Sequence, residues 1–272
     1  MAASPRFLPY WTGRQHGAEA TVFCLPHAGG GASTYHRWVG ADPALDVQPV
    51  QLPGREDLIG MAPVPDAERL VPMLGAQIAD ASVGRTVLFG HSMGAVLAAE
   101  LTAWLHRHNA PVPALLVVSS RRGGAPRRPA AGQLTAHSSD EELVAGLLRM
   151  GGTHREVLED PQLRALFLPT VRNDLLLLDR YRRGYGDREL PVPLLVCAGR
   201  DDTVSPDELA DWATHTALEC RVRTFPGGHF YLREQRRDLF RAVHEALGTT
   251  GLPSPAPSRK EHHAADAADA AR

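Results

Sequence analysis

Hydrophobic positions follow two periods along this chain. Short apolar runs recur over residues 20–25, 45–52, 86–89, 114–119, 192–198 and 220–225. Each run has strand length, and several lack the polar alternation of a half-exposed strand. The near-continuous ones suit strands buried on both faces of a mostly parallel sheet. Between them, apolar residues recur at helical spacing over residues 66–81, 95–106, 206–214 and 234–247. Such alternation of strand and helix predicts an α/β fold, one central sheet flanked by helices.

One stretch breaks the rhythm. Residues 121–185 contain no strand pattern, only helical patterns at 140–150, 161–167 and 171–181, separated by Gly151, Gly152 and Pro169. A helical insertion between two core strands reads as a lid over the sheet edge. Leu143, Leu147, Leu148 and Met150 recur at helical spacing in it, and Leu175 to Leu178 continue the theme. They are expected either to roof an acyl-binding pocket or simply to pack the lid on the core. Past Gly248 the chain has too little apolar content to pack, so residues 249–272 are expected to form a disordered tail. The expected organisation is a single domain over 1–248, with its core at 7–120 and 186–248 and the lid at 121–185.

Charge and composition remove several classes of chemistry. The balance of 29 basic against 31 acidic side chains gives no global attraction to nucleic acid or to an anionic membrane. A single lysine, Lys260, falls in the tail. The folded part thus has no lysine to form a Schiff base, hold a P-loop phosphate or carry biotin. Cys24, Cys197 and Cys220 form no C-x-x-C pair and read as buried free thiols of a reducing compartment. With no signal-peptide pattern and no membrane-length apolar stretch, a cytoplasmic monomer is expected.

The sharpest local signal is Gly90-His91-Ser92-Met93-Gly94, set between a predicted strand and a predicted helix. A strand turning abruptly into a helix strains the central residue, and small neighbours let the backbone close. The turn lifts the Ser92 hydroxyl above the sheet, at a helix N-terminus whose free N–H groups suit an oxyanion. A nucleophilic serine needs a base. Of 13 histidines, His229 follows Pro226, Gly227 and Gly228 directly after the last predicted strand, where a loop at the sheet's carboxyl edge would bring it over Ser92. His91 is expected to point away from the reacting side. The acid is expected after the preceding strand, where Gly199-Arg200-Asp201-Asp202 offers two aspartates. The order Ser, Asp, His along the chain is that of α/β-hydrolases. Two backbone N–H groups should complete the site. One is that of Met93, and the other comes from the glycine-rich loop after the first strand, Pro26-His27-Ala28-Gly29-Gly30-Gly31.

These motifs together resemble type II thioesterases, the stand-alone editing hydrolases of polyketide and nonribosomal peptide assembly lines. The resemblance rests on Pro26-His27-Ala28-Gly29-Gly30, Gln51-Leu52-Pro53-Gly54-Arg55-Glu56, Gly90-His91-Ser92-Met93-Gly94 and Phe225-Pro226-Gly227-Gly228-His229-Phe230-Tyr231. In the lid, Ser139-Asp140-Glu141-Glu142-Leu143, Gly151-Gly152-Thr153 and Glu159-Asp160-Pro161 also look like the family's helices. It implies an α/β-hydrolase fold and hydrolysis of acyl groups from the phosphopantetheine arm of acyl or peptidyl carrier proteins. It implies Ser92 as nucleophile, His229 as base, and the N–H groups of Met93 and Ala28 as oxyanion donors, without metal or organic cofactor. The family's G-x-x-D-x-x-V pattern around the acid is one residue short here. Counting forward from Gly199 selects Asp202, whereas counting back from Val204 or from His229 selects Asp201. Asp202 is favoured because a strand end fixes position more firmly than a loop.

Two other functions fit the same residues. One is a carboxylesterase or acyl-CoA thioesterase acting on free small molecules. The other is a non-catalytic scaffold that only binds carrier proteins. Arg121, Arg122, Arg127 and Arg128 cluster where the chain enters the lid, and are expected either to dock an acidic carrier protein or to form a solvated basic loop.

Overall fold

All six apolar runs form strands, as the computed structural model shows for residues 6–124, 133–181 and 189–248. The strands are β1 (Ala20–Leu25), β2 (Leu45–Pro49), β3 (Thr86–His91), β4 (Leu115–Ser119), β5 (Leu194–Gly199) and β6 (Cys220–Phe225). They form one sheet in the order β2-β1-β3-β4-β5-β6, and every pairing is parallel. This is the α/β-hydrolase arrangement expected from the sequence.

Successive side chains of a strand point to opposite faces, and the core divides accordingly. Phe23, Leu25, Leu88, Leu116, Val118, Leu194 and Val196 pack on one face with α1 (Ala67–Ala81) and α2 (Met93–Arg107). Val22, Cys24, Val87, Phe89, Val117 and Leu195 pack on the other. That second face is covered by the 3-10 segment Ala32–Trp38 and by α7 (Arg236–Leu247). β6 is not buried on both faces. As the sheet's edge strand, it leaves Arg221 to Thr224 largely open to solvent. The arginines on this edge pair with Glu219 and Glu245, a charged edge of the kind that discourages pairing with another chain.

Among the described residues, three helices lie in the insertion between β4 and β5: α3 (Asp140–Met150), α4 (Arg155–Glu159) and α5 (Pro161–Arg180). The expected break at Pro169 is absent, because α5 runs through it as one helix of 20 residues. Proline there removes the hydrogen bond to the carbonyl four residues back. Both Pro169 and Ala165 lie on the exposed face, where water can take the freed carbonyl. The opposite face, with Leu168, Val171, Leu175 and Leu177 buried, holds the helix down. The region expected as helix 206–214 is split into α6 (Pro206–Ala210) and a 3-10 turn, Asp211–His215. The expected tail and Arg127 and Arg128 lie outside the described residues. No helix among the described residues is long and apolar enough to cross a membrane.

The chain steps from β1 outward to β2, then returns to place β3 on the other side of β1. At such a reversal the loops leaving the two central strands diverge and open a crevice at their carboxyl ends. Residues 26–31 leave β1 there, and Ser92 leaves β3.

Candidate active site

The turn after β3 is strained in the expected way. Ser92 has φ 54° and ψ −111°, a conformation that costs on the order of 1–3 kcal/mol for a residue with a side chain. The glycines on either side are required sterically. A methyl at Gly90 would strike the backbone of Gly94 and Ala95, and one at Gly94 would strike the carbonyls of Leu25 and Pro26. The neighbouring strand holds the turn in place. Ser92 N–H donates to the Ser119 carbonyl at 2.8 Å, and His91 Nδ1 lies 2.9 Å from Ser119 Oγ. Ser119 Oγ is in turn 2.8 Å from the Tyr231 hydroxyl, which ties the elbow to the loop that carries His229. Met93 opens α2, so its N–H belongs to the first turn, where helical N–H groups have no intrahelical acceptor.

His229 lies beside this elbow, its ring centroid 5.0 Å from that of His91. Its Nδ1 is 3.0 Å from Asp202 Oδ1 and 3.2 Å from Oδ2. The Asp202 side chain is wholly enclosed, whereas that of His229 keeps 17% of its exposure. Burial pushes the Asp202 carboxyl up. The hydrogen bond and charge of His229, the Ser120 hydroxyl and the Thr203 N–H (2.7 Å) outweigh it and hold the group below the ordinary carboxylate value. Asp202 is thus an anion against one imidazole nitrogen, an arrangement that fixes the tautomer and leaves the other nitrogen to exchange a proton. Asp201, one residue earlier, is exposed, and its N–H donates to the Gly227 carbonyl.

The other histidines nearby stay neutral. Burial, and then the positive neighbours His229, Arg233 and Arg55, lower His27 to about 3. Burial, followed by His229, His27 and Arg233, also takes His91 well below its usual value. Charge forming on His229 is therefore met by Asp202 without competition from a second imidazolium.

The loop after β1 approaches from the opposite side. Residues 27–30 make a tight turn in which Gly30 N–H donates to the His27 carbonyl at 2.9 Å. The lid lies directly over this turn and over the His229 loop. Arg233 donates to the carbonyls of Gly151 (2.8 Å) and Gly152, and its guanidinium sits over the Phe230 ring. Of the expected lid residues, Leu143 and Leu147 are enclosed in the lid's own cluster with Leu158, Leu168, Val171 and Leu175. Met150 is 40% exposed. The lid residues placed against the loop are instead Phe167 and Val171, next to Gly29.

Sequence reasoning also missed Ser119, Ser120, Tyr231 and Asp174. A signal existed for three of them. Ser119 and Ser120 end a strand at the sheet's carboxyl edge, and Asp174 falls at helical spacing from Val171 and Leu177, where an apolar residue is expected. Tyr231 gave none beyond its place in the Phe225 to Tyr231 motif.

With this geometry established, comparison with known proteins is informative. A profile described as a thioesterase domain matches residues 20–247. The chain is 36% identical over 244 residues to the "Probable cadicidin biosynthesis thioesterase" of Streptomyces griseus, covering 87% of this chain and 66% of that one. It is 31% identical over 224 residues to "Gramicidin S biosynthesis protein GrsT" of Aneurinibacillus migulanus, covering 82% and 86% respectively. Among solved structures, the type II thioesterase BorB from the borrelidin biosynthetic cluster superposes with a TM-score of 0.75 at 36% identity, covering 86% of this chain and 95% of that one.

Proposed function

The chain belongs to the thioesterase family, and we propose on that premise that it hydrolyses acyl thioesters on the phosphopantetheine arm of acyl or peptidyl carrier proteins. It would act as an editing enzyme, clearing misprimed or stalled units from a polyketide or nonribosomal peptide assembly line. The observation that carries the reading is the Asp202–His229 contact beside the strained turn that bears Ser92. The names of the relatives, both tied to biosynthesis of a natural product, support the substrate class.

In this mechanism His229 takes the Ser92 proton as the oxygen attacks the thioester carbonyl. The N–H groups of Met93 and Ala28 stabilise the resulting oxyanion. Collapse of the intermediate breaks the C–S bond, and the departing thiolate receives the proton from His229. Water, deprotonated by His229, then attacks the acyl-enzyme, releasing the carboxylic acid and restoring Ser92. Asp202 orients the imidazole and offsets its positive charge in both halves. All the groups required are side chains or backbone N–H groups of this chain. Work on carrier proteins would put it in the cytoplasm, where Cys24, Cys197 and Cys220, all free, would stay reduced.

The test is release of several acyl groups from carrier protein by the purified protein, measured beside the matching acyl-CoA and p-nitrophenyl ester. Higher kcat/KM on the carrier-bound form supports the proposal. Equal or higher values on the free esters would favour the small-molecule esterase, and no turnover of any of them the binding scaffold.

A further inference from the structure

Asp174 is a carboxylate 2% exposed on the inner face of α5, among apolar neighbours. A buried charge is costly unless it is paired and hydrogen-bonded, and the partners of this one are specific. Arg55 meets it in a two-pronged contact, Nη1 to Oδ2 at 2.6 Å and Nη2 to Oδ1 at 2.7 Å. Asn173 Nδ2 adds a bond to Oδ1 at 3.3 Å. Neither ion ends there. Asp174 Oδ2 also accepts the Gly29 N–H at 2.8 Å, and Arg55 Nη1 also donates to the Gly30 carbonyl at 2.9 Å. The pair therefore grips the two residues that follow Ala28.

The peptide plane explains why this matters. The His27 carbonyl and the Ala28 N–H share one rigid plane, and that carbonyl is held by Gly30 N–H. Fixing Gly29 at its N–H and Gly30 at its carbonyl fixes the turn, and with it the direction of the Ala28 N–H. The remaining braces come from the Gln51 to Glu56 motif. Gln51 Oε1 accepts the Ala32 N–H at 3.1 Å while its Nε2 donates to the Arg55 carbonyl at 2.9 Å. The Glu56 carboxylate accepts the Ser33 hydroxyl at 2.6 Å. These belong to the core. Asp174 alone of this set belongs to the lid. The contact is tight: Gly29 has φ +79°, and a Cβ there would lie 2.8 Å from Val171 Cγ2 and 3.0 Å from Phe167 Cζ.

We propose that Asp174, acting through Arg55 and the Gly29 N–H, is a positioning residue that couples seating of the lid helix α5 to the geometry of the oxyanion loop. With α5 seated, the Ala28 N–H is held in place. With α5 lifted, Arg55 loses its carboxylate and Gly29 N–H its acceptor, and the loop can relax. An acyl chain that favours the seated lid would thereby favour its own hydrolysis. The inference rests on the proposed roles of Ser92 and Ala28.

Asp174→Asn and Arg55→Lys in the full chain test it, with a p-nitrophenyl ester as substrate and an alkyl trifluoromethyl ketone as a probe that forms an oxyanion on Ser92. Asparagine keeps the shape but loses the charge, and lysine keeps the charge but loses the fork. Misplacement by about 1 Å can cost roughly 10²-fold in rate. For each variant kcat should fall about 10- to 100-fold with KM nearly unchanged, and the inhibition constant of the ketone should rise by a similar factor, as loss of a transition-state interaction requires. Should Asp174→Asn fail to fold, Arg55→Lys carries the same expectation. Unchanged kcat and ketone affinity would overturn the proposal, as would a change confined to KM and Tm. Ser92→Ala, assayed in parallel, keeps the two readings apart. Activity surviving that change removes the catalytic assignment itself, whereas an inactive Ser92→Ala beside a fully active Asp174→Asn removes only the coupling.

Discussion

The sheet and the lid are held in different ways. The sheet has a parallel ladder on every inner strand and an apolar cluster on each face, together taking in most of the buried hydrophobic residues. The lid has one cluster of six buried residues. Leu177 and Tyr181 also join one of the sheet's apolar clusters, and polar contacts add to this attachment: Arg55–Asp174, Arg233 on Gly151 and Gly152, and Tyr181 on Glu100 at 2.6 Å. Ser92, Asp202 and His229 all stand on loops anchored in the sheet. What roofs them is docked by a smaller apolar contact and a few polar bonds. The proposed chemistry thus stands on the rigid body, and the proposed positioning role on the part that can move at lower cost.

The comparison breaks most visibly at the sheet. Ser92→Ala should leave the fold intact and remove hydrolysis by a factor approaching 10⁶ in kcat, as loss of the nucleophile does in a comparable triad. Labelling by a fluorophosphonate probe should vanish with it. Near-normal turnover would show that the site lies elsewhere. Asp202→Asn should cost about 10⁴, the loss seen when an amide replaces the acid of a related triad. Asp201→Asn, exposed and away from the imidazole, should change kcat little. Equal mild losses in the two would place the acid on another strand.

The lid should respond on a smaller scale and locally. Leu143→Ala removes a fully buried side chain from the six-residue cluster and should cost about 2–5 kcal/mol of lid stability. Hydrogen exchange should then quicken in α3 and α5 while β3 and β4 keep their protection. Leu97→Ala, fully buried in α2, should lower the global midpoint instead. A uniform change in exchange for Leu143→Ala would mean that lid and sheet unfold as one unit.

Acid sharpens the contrast further. The Asp202 carboxyl is held below its ordinary value in the folded chain, so its contribution to stability is complete above the ordinary carboxylate range and is lost as pH falls through the lowered value. The stability curves of wild type and Asp202→Asn should therefore converge as pH drops. Curves that stay parallel would show that the ionised carboxylate adds nothing to folding.

The smallest effect concerns the lid's entry. Arg121 and Arg122 are half-buried where the chain leaves β4, and the Arg121 carbonyl accepts the Trp212 indole N–H at 2.8 Å. Reversing both charges with glutamate should raise KM for an acidic acyl-carrier protein at low salt, with little change on a small uncharged ester, because such docking is screened over roughly 8 Å at physiological ionic strength. Equal effects on both substrates would point to disruption of the lid.

Much of the molecule was legible because its causes are local. A strand buried on both faces must be apolar at nearly every position, so β1, β3, β4 and β5 could be read from runs of Leu, Val, Phe and Ala. The turn at Ser92 needs glycine on both sides for steric reasons that the sequence displays directly, and His229 was marked by its place after the last strand. Other features depended on residues far apart in the chain. Local spacing left Asp201 and Asp202 open, and only the packing of the loops after β5 and β6 put Asp202 against the imidazole. Pro169 looked like a helix break until the burial of the opposite face outweighed its missing hydrogen bond. Arg55 and Asp174 are 119 residues apart, and nothing near either names the other. The amino-acid sequence by itself determined the sheet, the elbow and the order of Ser, Asp and His, since periodicity and turn sterics act between neighbours. Tertiary structure decided which aspartate meets His229 and how the lid is pinned to the glycine-rich loop after β1, because a buried charge finds its partner only after the chain has folded around it.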